Sequence, residues 1–239
     1  MNNDFSGLRI QHVSFAFDTN QGPFFKDVNL SFQAGSLHFI RGRNGSGKTT
    51  LFRILHADIA AHESLVGTFV LDNNTYDVTE NDFYYQYIMH VKHVVQNINS
   101  MLIFPFTVLQ NLQLAQLSSY PWIEQLPALD DIPLLMYTFG IRPDMLVSAL
   151  SGGQRQILAI FMMLQKKTRV LLLDEPTAAL DPHNADQVMQ CLERLAVNLD
   201  LVVLVISHDK ELVESYAKSG YTEIVIDPDG TRSITTVYK

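Results

Sequence analysis

A glycine-rich segment near residue 45 carries the residues best suited to binding phosphate. It comprises Gly42, Arg43, Asn44, Gly45, Ser46, Gly47, Lys48 and Thr49, and Thr50 follows it. Glycines let the backbone curl so that successive N–H groups face an anion, and a following helix adds the positive end of its dipole. Lys48 can neutralise phosphate charge, and the Thr49 hydroxyl can bind magnesium. The segment, called the phosphate loop below, therefore predicts a binding site for a nucleoside triphosphate.

An acidic pair follows a continuous apolar run further along the chain. Residues 170–173 are all Val or Leu, and Asp174 and Glu175 come directly after them. A short apolar run is typical of a strand buried on both faces of a parallel sheet, so the pair is predicted at the carboxyl end of a strand. There Asp174 can hold magnesium, and the neighbouring Glu175 can orient or polarise an attacking water.

A second segment suited to anions lies between these two motifs. It consists of Leu150, Ser151, Gly152, Gly153 and Gln154, and we call it the signature segment. Ser151 can cap a helix, so the segment offers a hydroxyl, bare backbone N–H groups and a helix dipole. Because the chain has one phosphate loop, this second anion site is predicted to serve a nucleotide held mainly by another chain. For Ser-Gly-Gly alone, the alternative of a simple glycine-rich helix cap would be favoured.

Composition limits the class of protein. The chain has 239 residues, of which 47% are hydrophobic, and this fits one composite domain. It has no apolar run long enough to span a bilayer, and its polar start does not resemble a secretion signal, so we expect a soluble, intracellular chain. Cys191 is its only cysteine and is expected to be a buried apolar side chain. The net charge of −8 argues against nucleic acid as a partner.

Hydrophobic periodicity predicts how the motifs are positioned. Period-two alternation near residues 13–17 and 28–32 predicts antiparallel strands, and a hairpin is expected near residues 67–78. Residues 37–41 predict a strand that leads through the phosphate loop into a helix. Residues 91–95 form a further β-branched run. Strands that alternate with helices indicate a doubly wound sheet with its ligand at the carboxyl ends of the strands.

The middle of the chain has a different character. Residues 97–150 contain several prolines and apolar helical stretches, with no convincing strand, and predict a helical insert. Ser151 is expected to begin a helix that runs to about Lys167. A second helix is predicted from about residue 184 to 198, before a strand at 201–206, and a final hairpin around residues 227–230. The aromatic residues of the insert predict a groove for a partner helix. These residues are Phe104, Phe106, Tyr120, Trp122, Tyr137 and Phe139.

Together these motifs resemble the ATP-binding cassette (ABC) family, specifically the separate nucleotide-binding subunits of bacterial transporters. The signature segment matches that family's motif letter for letter, and residues 174–181 match its second acidic motif and the loop that follows. The resemblance implies one ABC ATPase domain over residues 1–239. It implies an α/β fold with a P-loop NTPase core and a doubly wound, mostly parallel sheet, joined to an amino-terminal antiparallel β subdomain. Residues 1–96 and 168–239 would form the core with that subdomain, and residues 97–167 the helical subdomain.

The resemblance also implies individual roles. Lys48 would grip the β and γ phosphates, while Thr49, Gln96 and Asp174 would surround Mg²⁺. Glu175 would handle the water, His208 would sense the γ phosphate, and Asp181 would report across a dimer. Phe17 stands where the family has an aromatic that stacks on adenine, although a phenylalanine on a strand is usually core. The signature segment would bind the ATP of the opposite subunit, and the phosphate loop with Thr50 its own.

The implied protein is an ATP-hydrolysing transport subunit. Two copies, expected to be a homodimer, would sandwich two ATP molecules head to tail and drive a separate membrane permease. The chain would then sit at the cytoplasmic face of the inner membrane. Two alternatives stay open: a soluble ABC ATPase of DNA repair, chromosome handling or translation, and a phosphate-loop kinase. The acidic single-cassette sequence counts against the first alternative, and the signature segment counts against the second.

Overall fold

The computed structural model describes residues 5–20, 22–80, 82–94, 97–117, 131–164, 167–218, 220–227 and 231–237. These residues form two β-sheets and seven α-helices, and the helices lie mainly around the larger sheet. Within this part of the chain no helix combines the length and apolar character needed to cross a bilayer.

The smaller sheet is antiparallel and has the strand order β2-β1-β4-β5. Its strands are β1 (Gly7–Ala16), β2 (Phe25–Gln33), β4 (Ser64–Leu71) and β5 (Asn74–Asp77). Strand β2 shows why the sheet forms: Phe25, Val28, Leu30 and Phe32 are buried, while most residues between them face solvent. This period-two pattern gives the sheet one apolar face, which packs on the rest of the molecule.

The larger sheet has the order β10-β9-β3-β8-β7-β6 and is parallel except for β10. Its strands are β3 (Ser36–Gly42), β6 (Val91–Val94), β7 (Val170–Asp174), β8 (Val202–Ile206), β9 (Tyr221–Ile226) and β10 (Arg232–Val237). Every residue of β8 is buried because both faces of the sheet are covered. The carboxyl ends of β3, β7 and β8 meet at one edge, where an open α/β sheet binds its ligand.

Different elements cover the two faces of the larger sheet. The helices are α1 (Lys48–Leu55), α2 (Phe83–Tyr87), α3 (Val108–Leu117), α4 (Asp131–Thr138), α5 (Gly152–Met163), α6 (Pro182–Leu199) and α7 (Lys210–Tyr216). On one face, α1 and the antiparallel sheet share a core with Leu172 and Leu204. On the other face, α5 and α6 pack against Leu171 and Val203, and Cys191 is buried there as expected. The predicted α/β fold class is confirmed.

Some predicted boundaries were wrong, each for a local reason. Helix α5 ends at Met163 and not near residue 167, because Leu164 takes an extended conformation with ψ 123°. Helix α6 begins at Pro182, two residues before the predicted start, because Asp181 caps it and proline suits a first turn. The helical insert also contains an isolated antiparallel bridge between Thr107 and Leu146, where no strand pairing was expected.

Candidate functional site

The phosphate loop joins β3 to α1 at the ligand edge of the sheet. Gly42 has φ 152° and lies so close to β9 that a Cβ atom there would come within 2.6 Å of the Ile224 carbonyl oxygen. Gly47, with φ 109°, precedes α1, and no side chain caps that helix. The first N–H groups of a helix have no partner within it, so an uncapped start can offer them to an anion.

Lys48 is the first residue of α1 and is largely buried, with 8% of its surface exposed. Its ammonium donates hydrogen bonds to the carbonyl oxygens of Gly42 and Arg43, at 2.9 and 3.1 Å. Burial lowers the pKa of Lys48, and the nearby carboxylates of Glu175 and Asp174 oppose that shift. The loop thus holds a poorly hydrated positive charge at the start of the helix.

An open cleft of about 770 Å³ brings most of the predicted side chains together. It is lined by Phe17, Phe24, Asn44, Gly45, Gly47, Lys48, Thr49, Thr50, Asp174, Glu175, Ala178, Ile206 and His208. Of the predicted phosphate-loop residues, Gly42, Arg43 and Ser46 do not line it. Gly42 and Arg43 supply the carbonyl oxygens that hold Lys48, and the buried Ser46 hydroxyl has no hydrogen bond with any residue that the structure describes.

Thr49 and Asp174 present oxygen atoms to the same point of the cleft. Asp174 ends β7, and its Oδ2 accepts a hydrogen bond from the Thr49 hydroxyl at 3.3 Å. Mg²⁺ prefers such oxygen ligands and usually takes only one or two from protein, filling its shell with water and phosphate oxygens. Among the described residues no group of three or more His, Cys, Asp or Glu side chains could hold a metal ion. The pair fits a magnesium site completed by a nucleotide; Gln96 lies outside the described residues.

Glu175 follows Asp174 in a constrained conformation. Its φ is 51°, and its backbone N–H donates to the Ile206 carbonyl oxygen at 3.0 Å, which fixes it between β7 and β8. Its Oε1 lies 3.3 Å from Nε2 of His208, close enough for an ion pair, yet makes no hydrogen bond within the described part of the chain. Burial raises the pKa of Glu175, since only 16% of its side chain is exposed. Such a carboxylate is suited to accept a proton from water.

Two phenylalanines form the far side of the cleft. Phe17 lies just beyond the end of β1 and is 38% exposed, whereas Phe15 in the strand is 1% exposed. Phe15 is therefore a core residue, whereas Phe17 is not buried beside it as a continued period-two alternation would require. Phe24, which sequence reasoning missed, makes an edge contact with Phe17 at 4.8 Å between ring centroids. The Phe24 ring also makes an edge contact with Phe25, has the Arg232 guanidinium 3.6 Å over its centroid, and packs against Gly47.

The signature segment forms a rigid helix start. The Ser151 hydroxyl accepts the Gln154 N–H at 3.2 Å, and the Gln154 side chain accepts the Ser151 N–H at 3.0 Å, which makes a capping box. The amide nitrogen of Gln154 also donates to the Phe139 carbonyl oxygen at 3.1 Å. Both polar ends of this side chain are therefore engaged inside the chain, and Ser151 itself is exposed.

The structure keeps the signature segment apart from the phosphate-loop cleft. None of its five residues lines that cleft; Gly152 borders a neighbouring cleft that Glu175 also reaches. Asp181 likewise lies elsewhere, at the start of α6, where its carboxylate accepts the Asn184 N–H at 3.1 Å. One chain thus assembles Lys48, Thr49, Asp174, Glu175 and His208 in one cleft and leaves the signature segment outside it.

The fold and the cleft define a phosphate-loop nucleoside triphosphatase. Residues 25–178 match the family model described as ABC transporter, and the chain belongs to the ABC transporter family. It is 30% identical over 216 residues to methionine import ATP-binding protein MetN 2 of Rhodopseudomonas palustris, covering 88% of this chain and 54% of that protein. It is 31% identical over 208 residues to energy-coupling factor transporter ATP-binding protein EcfA1 of Thermotoga maritima, covering 87% of this chain and 75% of that protein.

Solved structures give the same fold. The structure of cbiO1 from Clostridium perfringens, part of the ABC transporter complex cbiONQ, superposes with a TM-score of 0.73 at 24% identity, over 96% of this chain and 87% of that one. A dimeric bacterial ABC transporter cassette superposes with a TM-score of 0.67 at 23% identity, over 97% of this chain and 99% of that one. These structures show the shared fold, and the family match over residues 25–178 identifies the chain as an ATP-binding ATPase of the ABC transporter family, as its motifs predicted.

Proposed function

We propose that two copies of this chain pair head to tail and close around two ATP molecules. The separation of the signature segment from the phosphate-loop cleft is the observation that carries this proposal. Ser151 is exposed at a capped helix start, where it and the helix dipole suit an anion, yet it does not line the phosphate-loop cleft of its own chain. Its ligand is the γ phosphate of the ATP bound by the other copy, with Gly152, Gly153 and Gln154 fixing the approach.

Within each half-site the residues divide the work. Lys48 and the N–H groups of the phosphate loop bind the β and γ phosphates, and Phe17 stacks on the adenine with Phe24 behind it. Thr49, Asp174 and Gln96 hold Mg²⁺, which supplies charge neutralisation when it is bound. Glu175 accepts a proton from the attacking water. The neighbouring His208 helps to position Glu175 and contacts the γ phosphate.

A test of this assignment is the replacement Glu175→Gln. The amide keeps the shape of the side chain but cannot accept the proton, so turnover should fall by about a hundredfold or more while ATP binding persists. The variant should then accumulate as an ATP-dependent dimer, measured by static light scattering with and without ATP. Turnover at the normal rate would show that another group accepts the proton. A variant that loses turnover and stays monomeric with ATP would argue against the paired arrangement.

We further propose that the helical subdomain, residues 97–167, binds a membrane permease. Its surface presents several large apolar side chains to solvent, as an interface does before its partner binds. These are Phe106, Leu109, Leu134, Tyr137 and Leu146, which are 39%, 46%, 65%, 51% and 48% exposed. Of the aromatic groove suggested by the sequence, Phe139 is core and Phe104 is partly buried, and Tyr120 and Trp122 lie outside the described residues.

This docking surface can be tested in membranes. Replacing Phe106 and Tyr137 together with Ser should release the chain from a membrane fraction that contains its permease, because the buried apolar area would be lost. Val66→Ser is the matched control, since Val66 is 45% exposed on β4, in the antiparallel sheet and not in the helical subdomain. Release by the control, or retention of the double variant, would contradict the assignment. A chain that never co-purifies with a membrane protein would favour the soluble non-transport alternative.

The proposed location follows from the permease. The chain would be held at the cytoplasmic face of the inner membrane through that partner, and residues 1–96 and 168–239 would form the nucleotide-binding core. The relatives are named for import or energy coupling, which favours import over export.

A further inference from the structure

The side chain of Asn184 joins the signature segment to the loop that follows the acidic pair. Asn184 lies in the first turn of α6 and is half-buried. The Ser151 hydroxyl donates to its Oδ1 at 3.1 Å, and its Nδ2 donates to Oδ2 of Asp181. One amide thus connects the residue that meets the opposite nucleotide with a loop that begins beside Glu175.

The orientation of this amide is fixed by its neighbour. Hydrogen bonds from Asn184 lower the pKa of Asp181, so this carboxyl is ionised near neutral pH and can only accept. The amide nitrogen must therefore face Asp181, and the amide oxygen must face Ser151. A serine hydroxyl can donate one hydrogen bond, and here it donates it to Asn184. The lone pairs of the same hydroxyl accept the Gln154 N–H.

Close packing holds Asn184 against the glycines of the signature segment. A Cβ atom on Gly153 would lie 2.7 Å from Oδ1 and 2.9 Å from Cβ of Asn184. Asn184 can approach the helix start this closely because Gly153 has no side chain. The contact between Ser151 and Asn184 is therefore a built feature of the helix start, and the hydroxyl does not rotate freely.

We propose that Asn184 is a positioning residue that competes with the triphosphate bound by the opposite subunit for the hydrogen bond that the Ser151 hydroxyl donates. The proposal rests on the proposed function, in which that hydroxyl binds the γ phosphate. Closure of the dimer then exchanges the Ser151 to Asn184 hydrogen bond for one to phosphate. Asn184 thereby weakens closure of the dimer.

The test measures dimer dissociation in the Glu175→Gln background, where ATP is not consumed. Asn184→Leu keeps the branched shape and the backbone N–H that Asp181 caps, but it removes the acceptor from Ser151. It should tighten the ATP-bound dimer by roughly 2- to 10-fold, the range of one net hydrogen bond. Asn184→Ala should shift dissociation in the same direction. Dilution in sedimentation or light scattering gives the dissociation constants, and thermal unfolding verifies that each variant is folded.

A double-mutant cycle isolates the route of the effect. With Ser151 replaced by Ala there is no proton to compete for, so Asn184→Leu should then change dissociation by less than about 2-fold. Gln190→Leu is the control, because the Gln190 amide donates to Asp186 of the same helix and takes no part in the hydrogen bonds of Ser151 described above. The inference is overturned if Asn184→Leu weakens the dimer or leaves it unchanged, or if its effect persists without the serine. If Ser151→Ala alone leaves the ATP-bound dimer equally tight, the proposed function itself fails.

Discussion

The phosphate loop and the signature segment are both glycine-rich starts of helices, yet they use glycine in opposite ways. Gly42, Gly45 and Gly47 have positive φ angles of 152°, 76° and 109°, and α1 has no side-chain cap. Gly152 and Gly153 are ordinary helical residues behind a complete capping box. At the first site glycine permits a backbone conformation, whereas at the second it removes a side chain so that α6 can approach.

Under the proposed pairing, this difference would give one chain two unlike halves of a nucleotide site. The phosphate loop is concave and uncapped, so its N–H groups remain available to an anion within a cleft. Ser151 of the signature segment is already hydrogen-bonded to Gln154 and Asn184 and stands at the surface. In the proposed pair, the phosphate loop would surround the triphosphate and the signature segment of the other copy would press against it.

Alanine substitutions separate the two uses of glycine and should have the largest effect on stability. Gly42→Ala should lower the free energy of unfolding by about 3 kcal/mol, because it combines a disfavoured φ with a clash against the Ile224 backbone. Gly153→Ala should cost about 1 to 2 kcal/mol, because it meets only the side chain of Asn184. Urea unfolding measures both changes.

A second replacement provides the control for this pair. Asn184→Ala should recover part of the loss caused by Gly153→Ala, since it removes the clashing atoms. The same replacement should leave the loss caused by Gly42→Ala unchanged. Equal costs at the two glycines, with no recovery at Gly153, would erase the distinction between the two helix starts.

The carboxyl groups of the two regions should give smaller effects of opposite sign with pH. Burial raises the pKa of Glu175 above its ordinary 4.5, so the folded state binds more protons than the unfolded state in the window above that value. The unfolding free energy of the wild type minus that of Glu175→Gln should therefore decrease as pH rises through this window. Hydrogen bonds from Asn184 lower the pKa of Asp181 below its ordinary 3.8. Stability relative to Asp181→Asn should therefore be present above that value and be lost as pH falls below it.

The measurement is the difference in unfolding free energy between wild type and each variant across acidic pH. Both variants keep the size of the side chain, so the pH dependence of each difference reports the titration of one group. Slopes of the same sign for Glu175 and Asp181 would contradict the different environments described for them.

Local sequence was a good guide where one segment fixes the geometry. The phosphate loop, Asp174, Glu175 and His208 converge as predicted, because each follows directly from a strand of the same sheet. The contacts that decide finer behaviour come from distant segments. Phe24 reaches Gly47 from the connection between β1 and β2, and the Gln154 hydrogen bond to Phe139 joins α5 to the turn after α4. No periodicity or motif contains that information.

Mixing two defective chains tests the shared site most directly. Lys48→Ala disables the phosphate loop of its own chain, and Ser151→Ala disables the segment offered to the partner; each alone should hydrolyse ATP slowly. A head-to-tail pair with one copy of each has one site with both defects and one intact site. An equal mixture should therefore regain roughly a quarter of wild-type turnover, since half of random pairs are mixed. Turnover no higher than the average of the two separate variants would contradict the account.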